Sequence, residues 1–316
     1  MCDRASELAN GIDAPYKGIM IEPMIESVNE STTESTTESA IESKMDVLRE
    51  KLRRLESVVV CYSGGLDSGF LLAVAHEQLG CRAAGLTAMG AALAPSESDE
   101  ARSFASRIGV AHVMVDAGEG EVEGYVANGP QRCFHCKTAL YVAADRYRTE
   151  CGFAHVVNGT NLDDIDDYRP GLDAARNAGV KSPLLDAGFR KEDVRAGAKL
   201  LGLPLWDKPA SACLASRIPY GTEITPARLA QVASLEAEIK SLGFRVVRVR
   251  HHEAIARIEL GLDELARACD PACRSRLVEA GKQAGFLYVT LDLGGYRVGS
   301  HNESLVRRKL PVLPPG

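Results

Sequence analysis

The stretch 58-VVVCYSGGLDSGF-70 decides how the rest of the chain is read. Val58, Val59 and Val60 form a short β-branched run of the kind that makes a fully buried strand. The chain then passes through Ser63, Gly64, Gly65, Leu66, Asp67 and Ser68 into an apolar helical pattern. Glycines let the backbone come close to an anion, and successive N–H groups at a helix N-terminus supply positive potential. A phosphate cradle is therefore expected. The bland alternative is a tight turn with Ser68 as N-cap. Neither GxxxxGK[ST] nor GxGxxG is present.

Working outward, helix and strand patterns alternate. Leu48, Leu52 and Leu55 recur at helical spacing from Met45, before the opening strand. After it come GFLLAVAHEQLG (helix), RAAGLTA (strand), SESDEARSFASRIG (helix), AHVMVDA (strand), a helix running on from Lys137, and AHVVNGT (strand). Such alternation implies βαβ units and an α/β fold with a doubly wound parallel sheet. A helix in RKEDVRAGAKLLG precedes a proline-punctuated stretch, Pro204 to Gly221, that reads as a loop over a site and holds Trp206. Thr225 to Leu242 reads as a helix, FRVVRVRH, AIARIEL and FLYVTLDL as strands, with a helical region before the last: a smaller C-terminal α+β domain. Residues 27–43, with the repeat STTESTTES, are too poor in apolar residues to offset ordering entropy. The expected organisation is a disordered extension over 1–43, the nucleotide domain over 44–221 and the small domain over 222–316.

Composition narrows the function. Among 316 residues, 37 basic against 43 acidic give a formal charge of −6, which offers no general attraction to nucleic acid. No apolar run suits a membrane span and no secretory leader is read, so a cytoplasmic protein is expected. Nine cysteines in such a compartment are not expected to form a disulfide framework. Cys133 and Cys136, in RCFHCK, have the CxxC spacing of a redox pair, half a zinc site or a cluster pair. Cys61, Cys81 and Cys151 are expected to pack, as are Cys269 and Cys273 on a helix. Arg248 and Arg250, two apart on a strand, share one face and suit a phosphate monoester, unless that face is simply solvated.

The SGG-x-DS loop after a strand resembles the PP-loop ATP pyrophosphatases, of the adenine nucleotide α-hydrolase-like fold. That resemblance implies ATP bound through Ser63, Gly64, Gly65, Asp67 and Ser68, with adenine held near Thr87 in LTA and the fourth strand delivering Gly159 and Thr160. Asp67, Asp163 and Asp164 become candidates for Mg²⁺, which prefers carboxylate and phosphate oxygens, with an Asx-type turn as the alternative for each.

Four stretches in order, QRCFHCK, NGTNLDDIDDYRPG with AARNAGVKSPL, WDKPASACLASRIPYG and RVRHHEAIARIE, resemble the LarE sulfur transferases of nickel-pincer nucleotide synthesis, over about residues 45–292. The resemblance implies adenylylation of pyridinium-3,5-biscarboxylic acid mononucleotide and replacement of carboxylate oxygen by sulfur, for lactate racemase maturation. Cys213 matches the reactive cysteine, and nearby Lys208 and Arg217 are expected to favour its thiolate. In some members that cysteine surrenders its sulfur; in members with all three cysteines, Cys133, Cys136 and Cys213 are expected to hold a 4Fe-4S cluster. Ser216, Arg217, Arg248 and Arg250 would bind substrate phosphate, and Glu236 and Glu259 match acidic positions associated with Mg²⁺. Carboxylase and nickel-inserting proteins of the same pathway and a homo-oligomer such as a hexamer are further implications. A PP-loop tRNA thiolase, an ammonia-using relative and a nucleotide-binding sensor are the competing readings.

Overall fold

The computed structural model describes residues 26–165, 170–208 and 213–297, with side chains from residue 39 onward. Residues 1–25 of the expected extension, and 166–169 and 209–212 within the motifs above, lie outside the described residues. The elements are α1 (Glu26–Arg54), β1 (Val58–Cys61), α2 (Leu66–Leu79), β2 (Ala83–Met89), α3 (Pro95–Ile108), β3 (Ala111–Asp116), α4 (Glu123–Val126), α5 (Arg132–Cys151), β4 (His155–Val157), α6 (Pro170–Asn177), α7 (Pro183–Asp186) and α8 (Lys191–Leu200). They continue with α9 (Pro226–Ser241), β5 (Val247–His252), β6 (Ile255–Leu260), α10 (Leu265–Cys269), α11 (Pro271–Gln283) and β7 (Tyr288–Leu291).

Strands β1 to β4 form a parallel sheet in the order β3-β2-β1-β4, with helices on both sides. The buried run in β1 has a direct cause in this layering. Val58 and Val60 face a core shared with α1, α2 and α8, whereas Val59 and Cys61 face one shared with α5 and α6. Because β1 is central, the loop after it opens at the C-terminal edge of the sheet, where open α/β folds bind ligands. The packed face of α1 begins earlier than the Met45 start read from the sequence: Ile41, Met45, Leu48 and Leu52 are all buried at helical spacing.

The C-terminal strands form a second sheet, β5-β6-β7, antiparallel between β5 and β6 and parallel between β6 and β7. Its core takes Val232, Leu235 and Ile239 from α9 and Leu277 and Ala280 from α11. Tyr125 of α4 and Leu214, Ala215 and Ile218 also enter this core, so the chain on both sides of residue 221 contributes to it. From Ile41 onward the described residues form one compact unit. None of the described helices is long and apolar enough to cross a membrane.

Some local expectations are corrected. Helix α5 starts at Arg132, not near Lys137, which places Cys133 in its first turn and Cys136 at the start of its second. Cys81 and Cys151 are exposed instead of packed, while Cys61 is buried as expected. Cys269 ends α10 and is exposed; Cys273 lies on α11, half-buried against the second core.

Candidate active site

The loop between β1 and α2 is tied across its base by its own hydroxyls. Ser68 Oγ accepts from the Ser63 N–H at 3.2 Å and lies 3.1 Å from Ser63 Oγ. Gly64 takes φ +77°, a left-handed conformation that costs glycine little. Gly159, just past β4, lies so close that a Cβ there would stand 2.7 Å from the Ser68 nitrogen. Strand β4 therefore seats directly on the first turn of α2.

Over this loop lies a cavity of about 480 Å³, lined by Ser63, Gly65, Asp67, Ser68, Gly159, Thr160 and Asp164. Lys137, Lys191, Arg195 and Lys208 also line it, a local excess of cations in a chain of net negative charge. With the N-terminus of α2 they suit a polyphosphate. Lys208 donates to the Gly64 carbonyl at 2.9 Å and to Glu100 at 2.7 Å, so it braces this loop.

Asp67 lies at the floor of the cavity. Its Oδ1 is buried without a hydrogen-bond partner, and Oδ2 stands 3.9 Å from Lys191 Nζ. Burial raises its pKa, Lys191 pulls it back and Asp164 raises it further. An orphaned buried carboxylate oxygen near a second carboxylate suits a divalent cation shared with phosphate oxygens. Asp163 instead caps α8: it accepts from the Lys191 N–H and from Arg190, each at 2.7 Å, which holds its carboxyl below the usual range.

A second cavity, about 200 Å³, shares Cys61, Ser63, Gly65 and Lys137 with the first. Leu86, Ala88 and Leu93 give it apolar walls, and Thr87 of β2 also lines it. The Thr87 hydroxyl is already committed, donating to the Tyr62 carbonyl at 2.7 Å and lying 2.8 Å from His112 Nε2.

Cys136 and Cys213 line the same cavity. Burial pushes the Cys136 thiol up to about 12, with Cys213 adding to the shift. Cys213 has an exposed surface onto the cavity yet sits deep among protein groups. Burial raises its thiol too, and Arg132 is the largest opposing influence. The expected helper Lys208 is engaged elsewhere, and Arg217 is a lesser influence than Arg132. Arg132 lies 3.8 Å from Cys133 Sγ and donates at 2.9 Å to the Asn128 side chain and to the Ala215 carbonyl. Asn128, fully buried at φ +52°, donates to the carbonyls of Pro219 and Thr222 at 2.8 Å. This pair clamps the start of α5 to the segment carrying Cys213. As placed, no three His, Cys, Asp or Glu side chains among the described residues form a metal-holding group.

Beyond Cys213 lies a buried arginine cluster. Arg217 bonds both oxygens of Glu236 at 2.8 and 3.0 Å, and Arg250 bonds both oxygens of Glu259 at 3.0 and 2.8 Å. Arg217 also reaches Ser216 Oγ at 3.1 Å, and Arg250 the Ser216 carbonyl at 2.9 Å. Arg248 stacks over Tyr296 at 5.0 Å, its guanidinium pKa lowered by burial and then by Arg217. Ser216, Arg217, Arg248 and Arg250 thus come together, and both expected acidic residues serve as counter-charges to arginines.

The asparagine synthase family model matches residues 45–142. The pyridinium-3,5-bisthiocarboxylic acid mononucleotide synthase of Lactiplantibacillus plantarum is 39% identical over 262 residues, covering 82% of this chain and 94% of that protein. This chain belongs to the LarE family. A Synechocystis protein shares 40% identity over 263 residues, 83% of this LarE chain and 98% of its own. The tRNA-specific 2-thiouridylase of Acidiphilium cryptum is more distant, at 27% over 273 residues, 72% of this chain and 78% of its own.

Several residues of this LarE site carry no local sequence signal. Asn128 and Arg132 act on partners more than 80 residues away. Lys137 could have been found from the CxxCK juxtaposition. Burial alone would lower its ammonium, yet Tyr141 and the thiols of Cys136, Cys61 and Cys133 raise it overall.

Proposed function

We propose that this LarE enzyme uses ATP to adenylylate the carboxylates of pyridinium-3,5-biscarboxylic acid mononucleotide and then replaces an oxygen of each with sulfur. The observation that carries this reading is the shared wall: Ser63, Gly65 and Lys137 border both the phosphate cavity and the cavity holding Cys136 and Cys213. A carboxylate oxygen attacks the α-phosphorus and pyrophosphate leaves into the loop of Ser63 to Ser68. Lys137, Lys191 and the α2 N-terminus offset the charge that develops on the phosphates. Asp67 and Asp164 would hold Mg²⁺ there, supplying charge neutralisation for the leaving pyrophosphate.

The acyl adenylate has a good leaving group where the carboxylate had none. A sulfur nucleophile adds to its carbonyl carbon, and AMP departs with the former carboxylate oxygen. Cys133, Cys136 and Cys213 form the sulfur centre, with Arg132 offsetting thiolate charge. Cys133, Cys136 and Cys213 would hold a 4Fe-4S cluster, which when bound would supply the sulfide for the transfer. Arg248 and Arg250, with Ser216 and Arg217, would receive the mononucleotide phosphate. A cytoplasmic homo-oligomer working with the carboxylase and nickel-inserting proteins of its pathway completes the reading.

The test is intact-protein mass, denatured before and after turnover of anaerobically prepared enzyme, with product counted per chain. Several thiocarboxylates per unchanged chain when sulfide is fed support sulfur carried on the three-cysteine centre. Loss of one sulfur at Cys213, with at most one sulfur transferred per chain, assigns the sulfur to Cys213 itself. No thiocarboxylate under either condition refutes the proposal.

A further inference from the structure

Glu119 has no role in the chemistry above, yet it occupies a position where a spectator carboxyl is costly. It is 8% exposed, and its Oε2 is buried without a hydrogen-bond partner. It follows the Gly118 turn after β3 and lies against Gly90, just past β2, where a Cβ would collide with its Oε1. Glycine at position 90 leaves the space this carboxyl occupies over the end of β2. Glu119 lines the 200 Å³ cavity together with Leu86, Ala88 and Leu93. It also lines a neighbouring cavity of about 210 Å³ with Asp116, Tyr125 and Leu229, so it forms part of the partition between them.

The base slot otherwise offers little that could read a purine edge. Thr87 spends its hydroxyl on Tyr62 and His112. Glu97 has other interactions, the aliphatic walls carry no donors, and the other buried side-chain oxygen without a hydrogen-bond partner on this lining is the Tyr62 hydroxyl, whose ring is held by Phe104 and His112. A carboxyl left unpaired in such a slot loses its hydration and regains nothing until a donor arrives. The exocyclic amino group is the only hydrogen-bond donor on the adenine ring once N9 carries ribose. Guanine presents a carbonyl oxygen at the corresponding position, which would meet the carboxyl lone pairs.

We propose that Glu119 is a specificity-determining residue of the nucleotide site, accepting a hydrogen bond from the adenine amino group and disfavouring guanine. The inference rests on the ATP-dependent reading given above and deepens it. Burial raises the Glu119 carboxyl pKa, and the protonated form also retains an oxygen able to accept from that amino group.

The experiment is calorimetric titration of the full chain with the α,β-methylene analogues of ATP and GTP, which cannot release pyrophosphate, for wild type, Glu119→Ala and Glu119→Gln. Wild type should prefer the adenine analogue by at least about tenfold. Glu119→Ala should weaken that analogue by about 10- to 100-fold, the range for a hydrogen bond to a buried charged group, and leave the guanine analogue within a few-fold. Glu119→Gln, which is isosteric and guards against misfolding of the alanine variant, should keep most of the adenine affinity through its amide oxygen. It should also improve the guanine analogue, because its N–H₂ can face the carbonyl. Equal losses for both analogues, or an unchanged preference in both variants, would overturn the proposal. The proposed reaction fails separately: base preference that shifts as stated in an enzyme that makes no thiocarboxylate removes that reaction and leaves Glu119 as the base reader.

Discussion

Replacing Gly159 by alanine tests whether the phosphate loop is built by close approach of β4 to α2. The added Cβ would stand 2.7 Å from the Ser68 nitrogen, 2.9 Å from Ser68 Cα and 3.0 Å from the Asp67 carbonyl carbon. All three are backbone atoms, so no side-chain rotation relieves the clash. Reaching ordinary contact at 3.4 Å from 2.7 Å requires a displacement of about 0.7 Å, directed into the first turn of α2. Overpacking of this kind costs about 1–3 kcal/mol. For a chain of this size that corresponds to a Tm lowered by about 2–12 °C. Function should suffer more than stability, because the displaced atoms belong to the phosphate cradle itself. A shift of this size in a positioning element predicts a fall of about 10- to 100-fold in ATP-dependent AMP formation. Gly120→Ala is the control, since a Cβ there meets nothing within 4 Å and needs no unusual φ. The assay is differential scanning calorimetry beside AMP release from ATP and the biscarboxylate mononucleotide. If Gly159→Ala matched Gly120→Ala in both measurements, the proposed seating of β4 on the loop would be wrong.

Other perturbations probe different parts of the site. Asn128→Ala removes three carbonyl contacts and places alanine at φ +52°, so thermal unfolding should show a loss of about 2–4 kcal/mol, with sulfur transfer reduced more than binding of the ATP analogue. Arg217→Ala strands Glu236, itself 4% exposed, and should destabilise by about 3–5 kcal/mol in denaturant titration; a Glu236→Gln change in the same chain should recover part of it. Cys136, with its thiol raised to about 12, should react with iodoacetamide at pH 8 about 10- to 100-fold more slowly than an unperturbed thiol in the metal-free protein, the smaller thiolate fraction being partly offset by its higher nucleophilicity, as followed by mass spectrometry. The same shift has a stability sign: between pH 9 and about 12 the unfolded chain releases this proton and the folded chain retains it, so the stabilising contribution of the neutral thiol is lost as pH rises through that window.

The sheet was legible because its signals are local. The β-branched run of β1, the glycine loop and the alternating helix and strand periods each lie within a dozen residues, and a buried parallel strand has few other readings. The start of α5 was not legible. Gln131 makes no side-chain capping bond, and RCFHCK has no apolar period, so nothing marks Arg132 as the first helical residue. That Arg248 and Arg250 share a face of β5 is legible from their spacing, but their burial and their partners are not. Glu236 and Glu259 meet Arg217 and Arg250 through pairings that depend on how α9 and β6 pack against the 214–217 turn and β5. Asn128 illustrates the same limit more sharply, since its three acceptor carbonyls lie 90 or more positions ahead. Long-range polar satisfaction is settled by the fold, and sequence spacing carries no trace of it.

The most direct measurement follows one carboxylate through both half-reactions. Enzyme, ATP, Mg²⁺ and pyridinium-3,5-biscarboxylic acid mononucleotide are mixed anaerobically in ¹⁸O-labelled carboxylate form, and the AMP and pyridinium products are read by mass spectrometry. Transfer of ¹⁸O from the carboxylate to AMP, together with sulfur at the same carbon in wild type and its absence in Cys213→Ala, is the expected result. AMP lacking the label, or a labelled AMP with thiocarboxylate still formed by Cys213→Ala, would contradict adenylate formation in the first case and the assigned sulfur centre in the second.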